Sequence, residues 1–262
     1  MIHFEDRGGY HAGIMRLLLI SNSTSHGSGY LDHCMEEILD FLDGVDRIGF
    51  VPFALFDRAG YTAKAAERFG AEGIQVEEVT ADAAGRQLLE EVPAIFVGGG
   101  NTFRLLKTLQ DSALLEVIRR RVREGMLYMG ASAGTNMAMP TIRTTNDMPI
   151  VEPESFECLG LVSFQINPHY LDPDPGSTHM GETREQRLVE FLEENDVPVV
   201  GLREGAWLRV EDESMTLGGR NGARILRRGQ EPEERAVGDL ANPKTGPSAA
   251  AHPALPRTDR DL

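Results

Sequence analysis

Residues 130–134 read Gly-Ala-Ser-Ala-Gly and set one hydroxyl, Ser132, between small side chains directly after the apolar run 126–129. The pattern G-x-S-x-G is that of a nucleophile elbow, a sharp strand-to-helix turn that exposes a serine oxygen. The N–H of the following residue, Ala133, is placed to help hold an oxyanion. Glycine, alanine and serine are common, so the same five residues also describe a plain structural turn. A nucleophilic serine needs a base. Of the seven histidines, His3 and His11 fall near the start and His252 near the end, while His26 and His33 come early. His169, just past an apolar stretch, and His179, just before a helical one, are the candidates. A carboxylate must then orient the imidazole. Asp147 lies between Ser132 and His169 in the chain, and Glu204, which also follows an apolar run, is its rival. His169, Asp172, Asp174 and His179 lack a recognised zinc or calcium spacing, so no metal is expected.

The stretch 97–106, VGGGNTFRLL, is the second place where the sequence could do chemistry. Three glycines between an apolar run and a helical one let backbone N–H groups approach a ligand and donate to an oxyanion or phosphate. No lysine follows as a P-loop requires, and the spacing is not that of a dinucleotide fingerprint.

These loops need a scaffold. Apolar runs at 16–22, 48–55, 94–100 and 126–132, with an alternating strand pattern at 74–80, are interleaved with helical periodicity at 31–43, 63–70, 85–92, 102–110 and 113–125. That alternation predicts an α/β fold with a mostly parallel sheet covered on both faces. Chemistry in such sheets collects at the carboxyl ends of the strands, where 21–29, 98–102 and 130–134 fall. Beyond residue 140 the pattern loosens. A strand at 161–169, a helix at 181–195 and a strand at 197–202 follow, then a terminal antiparallel pair formed by 206–219 and 223–229. From about Gln230 proline, alanine and charge dominate, which predicts a disordered tail over 230–262. Residues 1–14 read as an extension, leaving 15–229 as one α/β domain.

The bulk composition excludes several functions. Forty-one acidic residues against 26 basic ones give a net charge of -15, which repels nucleic acid and anionic membranes. No apolar run is long enough to span a bilayer. The first residues lack the charged and apolar regions of a signal peptide. Two cysteines, Cys34 and Cys158, make no disulfide framework and fit reduced thiols in a cytoplasmic protein.

Taken together, LLLISNST, YTAKAA, VGGGNTFRLLK, GASAGTNMAMPTIRTTNDMPIV, QINPHY, GETREQR and GLREGAW resemble the S51 family of serine peptidases and its aspartyl dipeptidases. The resemblance spans residues 15–229. It implies a three-layer sandwich similar to class I glutamine amidotransferases, not the α/β-hydrolase fold that the elbow first suggests. It further implies hydrolysis of dipeptides beginning with aspartate, with Ser132 as nucleophile and His169 as base. Asp147 stands at the usual position of the third member and Glu204 at an alternative one. Gly99 or Gly100, with Ala133, falls at the oxyanion donors, and no cofactor is implied. Ala131 departs from the family, where a large aromatic is frequent, and its small side chain is expected to widen the pocket.

Selectivity for aspartate in so acidic a protein requires a cation. Arg184 is the first choice and Arg143 the second, because a guanidinium fork binds a carboxylate with two parallel bonds. Asn101 and Thr102 are expected to orient the substrate backbone. The partner is then a small peptide, and the enzyme a monomer or homodimer. The rivals are a cyanophycin-cleaving member of the family, which would need an acidic pocket for arginine, and a non-catalytic small-molecule-binding protein. An amidotransferase-like domain would want cysteine at the elbow.

Overall fold

Residues Arg16–Ile20 form β1, and four consecutive side chains in it, Leu17 to Ile20, are fully buried. A strand tolerates that only when both of its faces are covered. Leu17 and Leu19 pack into one core cluster, Leu18 and Ile20 into another, so β1 lies between two apolar layers. The computed structural model describes residues 14–173, 176 and 181–244. What the sequence suggests for His179, Asp174, residues 1–13 and the tail over 245–262 therefore lies outside the described residues.

The remaining elements are α1 (Met35–Leu42), β2 (Arg47–Val51), α2 (Arg58–Gly70), β3 (Gln75–Glu78), α3 (Ala83–Glu91), β4 (Ala94–Val97), α4 (Thr102–Asp111), α5 (Leu114–Arg123), β5 (Leu127–Ala131) and α6 (Ala133–Met137). They are followed by β6 (Gln165–Tyr170), α7 (Arg184–Glu194), β7 (Val199–Arg203), β8 (Ala206–Glu211), β9 (Ser214–Gly219), β10 (Ala223–Leu226), β11 (Glu233–Arg235) and β12 (Gly238–Asp239).

The large sheet has the order β12-β9-β8-β1-β5-β4-β2-β3. Its β1-β5-β4-β2-β3 part is parallel, and β8, β9 and β12 are antiparallel additions at one edge. One face is covered by α1 and α2, through Ile38, Phe41, Ala65 and Phe69. The other is covered by α3 to α6, through Leu89, Leu105, Ile118 and Met137. The expected α/β sandwich with a mostly parallel central sheet is the observed architecture.

A second sheet, β11-β10-β7-β6, sits beside the first. Ile166, Val200 and Ile225 of this sheet join the large core, while α7 covers its other face through Leu188 and Leu192. The two sheets together correct two expectations. The stretch 206–219 is itself a hairpin, β8 and β9, turning at Asp212 with a φ of 50°. The stretch 223–229 does not pair with it; β10 crosses to β7 instead. Residues beyond Gln230 are also ordered as far as Lys244, because β11 pairs with β10 and β12 with β9. Their charge is absorbed by pairing: Glu234 meets Arg203 and Arg224, and Glu233 meets Arg227.

Candidate active site

Ser132 ends β5 and opens α6 with φ 52° and ψ −108°. A side-chain-bearing residue rarely adopts such a backbone, and strain of this kind collects at functional sites. The turn is clamped from several sides. Ser132 N–H donates to Ile20 O at 3.0 Å, and Thr135 Oγ1 donates to both Ile20 O and Gly130 O. The flanking glycines are sterically required. A Cβ on Gly134 would lie 2.0 Å from Val97 O, and one on Gly130 would lie 2.5 Å from Gly134 O.

His169 lies near the end of β6, where the register with β7 slips between Pro168 and Tyr170. Its φ of 53° is part of that irregularity. A slip of this kind re-aims a side chain. The backbone is pinned there by Ser21, whose hydroxyl accepts from His169 N–H and donates to Leu202 O. The imidazole then has one nitrogen on each side. Nε2 is 3.0 Å from Ser132 Oγ, and Nδ1 is 2.7 Å from Glu204 Oε1. Glu204 follows β7, and its backbone is fixed by Asn221 donating to its carbonyl and by Gly205 N–H donating to Asn22.

Asp147, the first choice for the third position, is elsewhere. Its Oδ2 accepts from Thr102 N–H at 2.8 Å and from Thr102 Oγ1 at 2.5 Å. The reason is electrostatic: Thr102 is the first residue of α4, where exposed N–H groups favour a carboxylate. Asn101 and Thr102, expected on the substrate, are occupied as well. Asn101 caps α4 by accepting from Arg104 N–H and donates to Met148 O, while Thr102 is fully buried. Together they fasten the 144–149 loop to the helix.

The glycine loop folds against the elbow. A Cβ on Gly99 would meet Ala131 O at 3.1 Å and Ser132 Cβ at 3.2 Å, so its backbone passes directly over the serine. Gly100 has a φ of 136°, and a Cβ there would lie 2.7 Å from Ala54 O. Among the described residues the Gly100 and Ala133 amides meet no acceptor, whereas the Gly99 amide interacts with the Tyr61 hydroxyl. Ala131 is fully buried in the core cluster beneath the sheet and lines none of the cavities described here, so its small side chain does not widen the pocket.

Two cavities flank these residues. One of 530 Å³ is lined by Ser132, His169, Gly99 and Gly100 together with Tyr30, Asp57, Tyr61 and Lys64. The other, of 280 Å³, is lined by Arg143, Asn146, Asp147, Asn167 and Arg184, and shares no lining residue with the first. The Arg184 guanidinium is half-buried, and burial followed by the neighbouring Arg187 pulls its pKa below the usual arginine value. No carboxylate lies within ion-pair distance of it among the described residues. Arg143 is exposed and stacks on Phe156 at 5.0 Å.

Sequence reasoning missed Ser21, Asn22, Tyr30, Tyr61 and Lys64 as parts of this region. The polar residues at 21–29 marked a strand-end loop, but spacing gives no sign that Ser21 holds the His169 backbone. It also missed the ion network behind the site. Tyr170 donates to Glu185, Glu185 pairs with Arg224, and Arg203 pairs with Asp172 and Glu234. His169 and Glu204 are the chain neighbours of Tyr170 and Arg203, so the small sheet's charges tether both.

Residues 17–218 match the model of peptidase family S51. The chain is similar to the "Peptidase E" of Streptomyces coelicolor, 60% identical over 86% of this chain and 92% of that one. It is also similar to the "Probable alpha-aspartyl dipeptidase" of Drosophila melanogaster, 46% identical over 86% and 95%. Among solved structures it shares its fold with a peptidase from an acI-B1 actinobacterium, at a TM-score of 0.67 and 16% identity over 88% and 99% of the chains. By both the family model and these relatives, the chain belongs to peptidase family S51.

Proposed function

We propose that this chain is a serine dipeptidase that hydrolyses dipeptides with an N-terminal aspartate. The observation that carries the reading is His169 held between Ser132 Oγ at 3.0 Å and Glu204 Oε1 at 2.7 Å. Ser132 Oγ attacks the peptide carbonyl carbon as His169 Nε2 takes its proton. Glu204 fixes the imidazole tautomer and balances the imidazolium charge. The Gly100 and Ala133 amides, with Gly99 once substrate draws it from Tyr61, hold the tetrahedral oxyanion. The C–N bond breaks as His169 protonates the leaving amine, leaving an aspartyl ester on Ser132. Water repeats the sequence, giving its proton to His169, and aspartate is released.

Arg184 supplies the cation for the aspartate side chain. The names carried by the relatives and the half-buried guanidinium, which has no carboxylate partner among the described residues, support that assignment. The reading includes a cytoplasmic enzyme, with Cys34 and Cys158 buried and reduced, acting as a monomer or homodimer on a small peptide. No helix of the described residues is long and apolar enough to cross a membrane. The test is cleavage of Asp-Leu, Glu-Leu, Ala-Leu and N-acetyl-Asp-Leu by the protein and by Ser132→Ala. Cleavage of Asp-Leu alone, lost in Ser132→Ala, is expected. Cleavage of Asp-Leu that survives Ser132→Ala removes the mechanism, and equal cleavage of Ala-Leu removes the aspartate selectivity.

A further inference from the structure

A dipeptide that begins with aspartate carries two carboxylates, one on the first side chain and one at its C-terminus. The proposed function places only the first. The second belongs to the leaving residue and must find a cation in a protein of net charge -15. The 530 Å³ cavity around Ser132 and His169 contains one such group besides the histidine, Lys64. The chain has three lysines, Lys64, Lys107 and Lys244, and Lys107 is paired with Asp111. Lys64 has no carboxylate within ion-pair distance among the described residues; its ammonium lies 4.6 Å above the Tyr30 ring instead.

The ground beneath Lys64 is rigid. Tyr30 and Tyr61 are both buried, meet edge to face at 6.2 Å, and are joined by a hydroxyl contact of 3.3 Å. Tyr61 in turn rests edge-on against Phe50 and presses on Gly98, where a Cβ would lie 2.6 Å from its ring. Tyr61 and Lys64 are three residues apart on α2, hence neighbours on one helix face. One helix therefore carries both the wall of the glycine loop and the cation. The other charge in the cavity, Asp57, is used to cap α2, accepting from Gly60 N–H at 2.9 Å.

We infer that the cavity between α2 and the glycine loop is the leaving-residue site, and that Lys64 binds the C-terminal carboxylate of the dipeptide. Lys64 is then a specificity residue that measures substrate length: a longer peptide presents an uncharged amide where the carboxylate would sit. This rests on the proposed Ser132 chemistry and on Arg184, not Lys64, receiving the aspartate side chain. The charge is exposed, so its contribution is that of a partly screened pair.

The experiment compares kcat/KM of the wild type, Lys64→Met and Lys64→Arg on Asp-Leu, Asp-Leu amide, Asn-Leu and Asp-p-nitroanilide. For Lys64→Met, the ratio of kcat/KM on Asp-Leu to that on Asp-p-nitroanilide is expected to fall about 5- to 20-fold, mainly through KM. The preference for Asp-Leu over its amide should shrink by the same factor, and Lys64→Arg should recover most of it. Unchanged ratios overturn the inference while leaving the Ser132 reading intact. Loss of the preference for Asp-Leu over Asn-Leu also overturns it, since Lys64 would then serve the first side chain. Absence of Ser132-dependent p-nitroaniline release by the wild type would overturn the catalytic reading and this inference together.

Discussion

Glu204 holds His169 from the side remote from Ser132, with Oε1 2.7 Å from Nδ1. Asp147, nearer in sequence to both, is bound to Thr102. Replacing each carboxylate by its amide separates the two roles. Glu204→Gln is expected to lower kcat on Asp-Leu by about 10²–10⁴-fold with a small change in KM, because the tautomer and the imidazolium lose their support. Asp147→Asn is expected to cost at most about tenfold in kcat but about 1–2 kcal/mol of stability, because it weakens a charged bond to a helix N-terminus. Steady-state kinetics and thermal unfolding of both variants decide it. A larger kcat loss in Asp147→Asn would exchange the roles.

The Ser132 backbone has a testable cost. At φ 52° and ψ −108° a Cβ is strained, by about 1–3 kcal/mol. Ser132→Gly removes both the nucleophile and the strain, whereas Ser132→Ala removes only the nucleophile. Glycine also loosens the unfolded chain, which takes back about 0.4–1 kcal/mol. Ser132→Gly should therefore unfold at a higher temperature than Ser132→Ala, with both inactive. The opposite order would mean that the elbow is not strained.

What could be read in the sequence was what depends on neighbours along the chain. The elbow, the glycine run and the burial of β1, β4 and β5 all rest on local composition, and the structure places them as read. The choice between Asp147 and Glu204 depends on which loop the second sheet brings to His169. That follows from the β6–β7 pairing, for which no local pattern codes. The same holds for β10: its residues, ARIL, fit a partner on either sheet, and the pairing with β7 is decided by tertiary packing. Glu233 and Glu234 read as tail because acidic and proline-rich sequence cannot bury apolar surface. They are held by β11 pairing with β10 and by arginines that composition does not point to: Arg203, far away in the chain, on Glu234, and Arg227 on Glu233. Ala131 misled for a related reason: position beside the serine says nothing about which face of β5 it occupies.

Gly100 combines a φ of 136° with a neighbour, Ala54 O, only 2.7 Å from where a Cβ would be. Gly100→Ala is expected to lower stability by about 2–4 kcal/mol. It should also move the amide proposed as an oxyanion donor, so kcat is expected to fall about 10²–10³-fold on Asp-Leu. Gly70→Ala, where a Cβ meets nothing within 4 Å, is the control: it should leave kcat unchanged and lower stability not at all, raising it by about 0.4–1 kcal/mol at most. Equal behaviour of the two variants would remove Gly100 from the oxyanion site.

Asp172 lies three residues beyond His169 and receives two bonds from Arg203, at 2.7 and 2.8 Å, next to Glu204. Hydrogen bonding to that guanidinium holds its carboxyl below the usual carboxylate range. Folding therefore favours the ionised form. The stabilisation is complete above the unfolded value of about 3.9 and is lost as the pH falls through the lower value of the folded state. Asp172→Asn should accordingly unfold at a lower temperature than the wild type at pH 7. The gap should persist to about pH 4 and close below it, since protonated Asp172 and asparagine are then alike in charge. Because Asp172 is half exposed, the gap at pH 7 should also narrow in 1 M salt, where the Debye length is about 3 Å. A gap independent of pH would show that Asp172 acts through packing, and that the Arg203 pair does not tether the strand ends carrying His169 and Glu204.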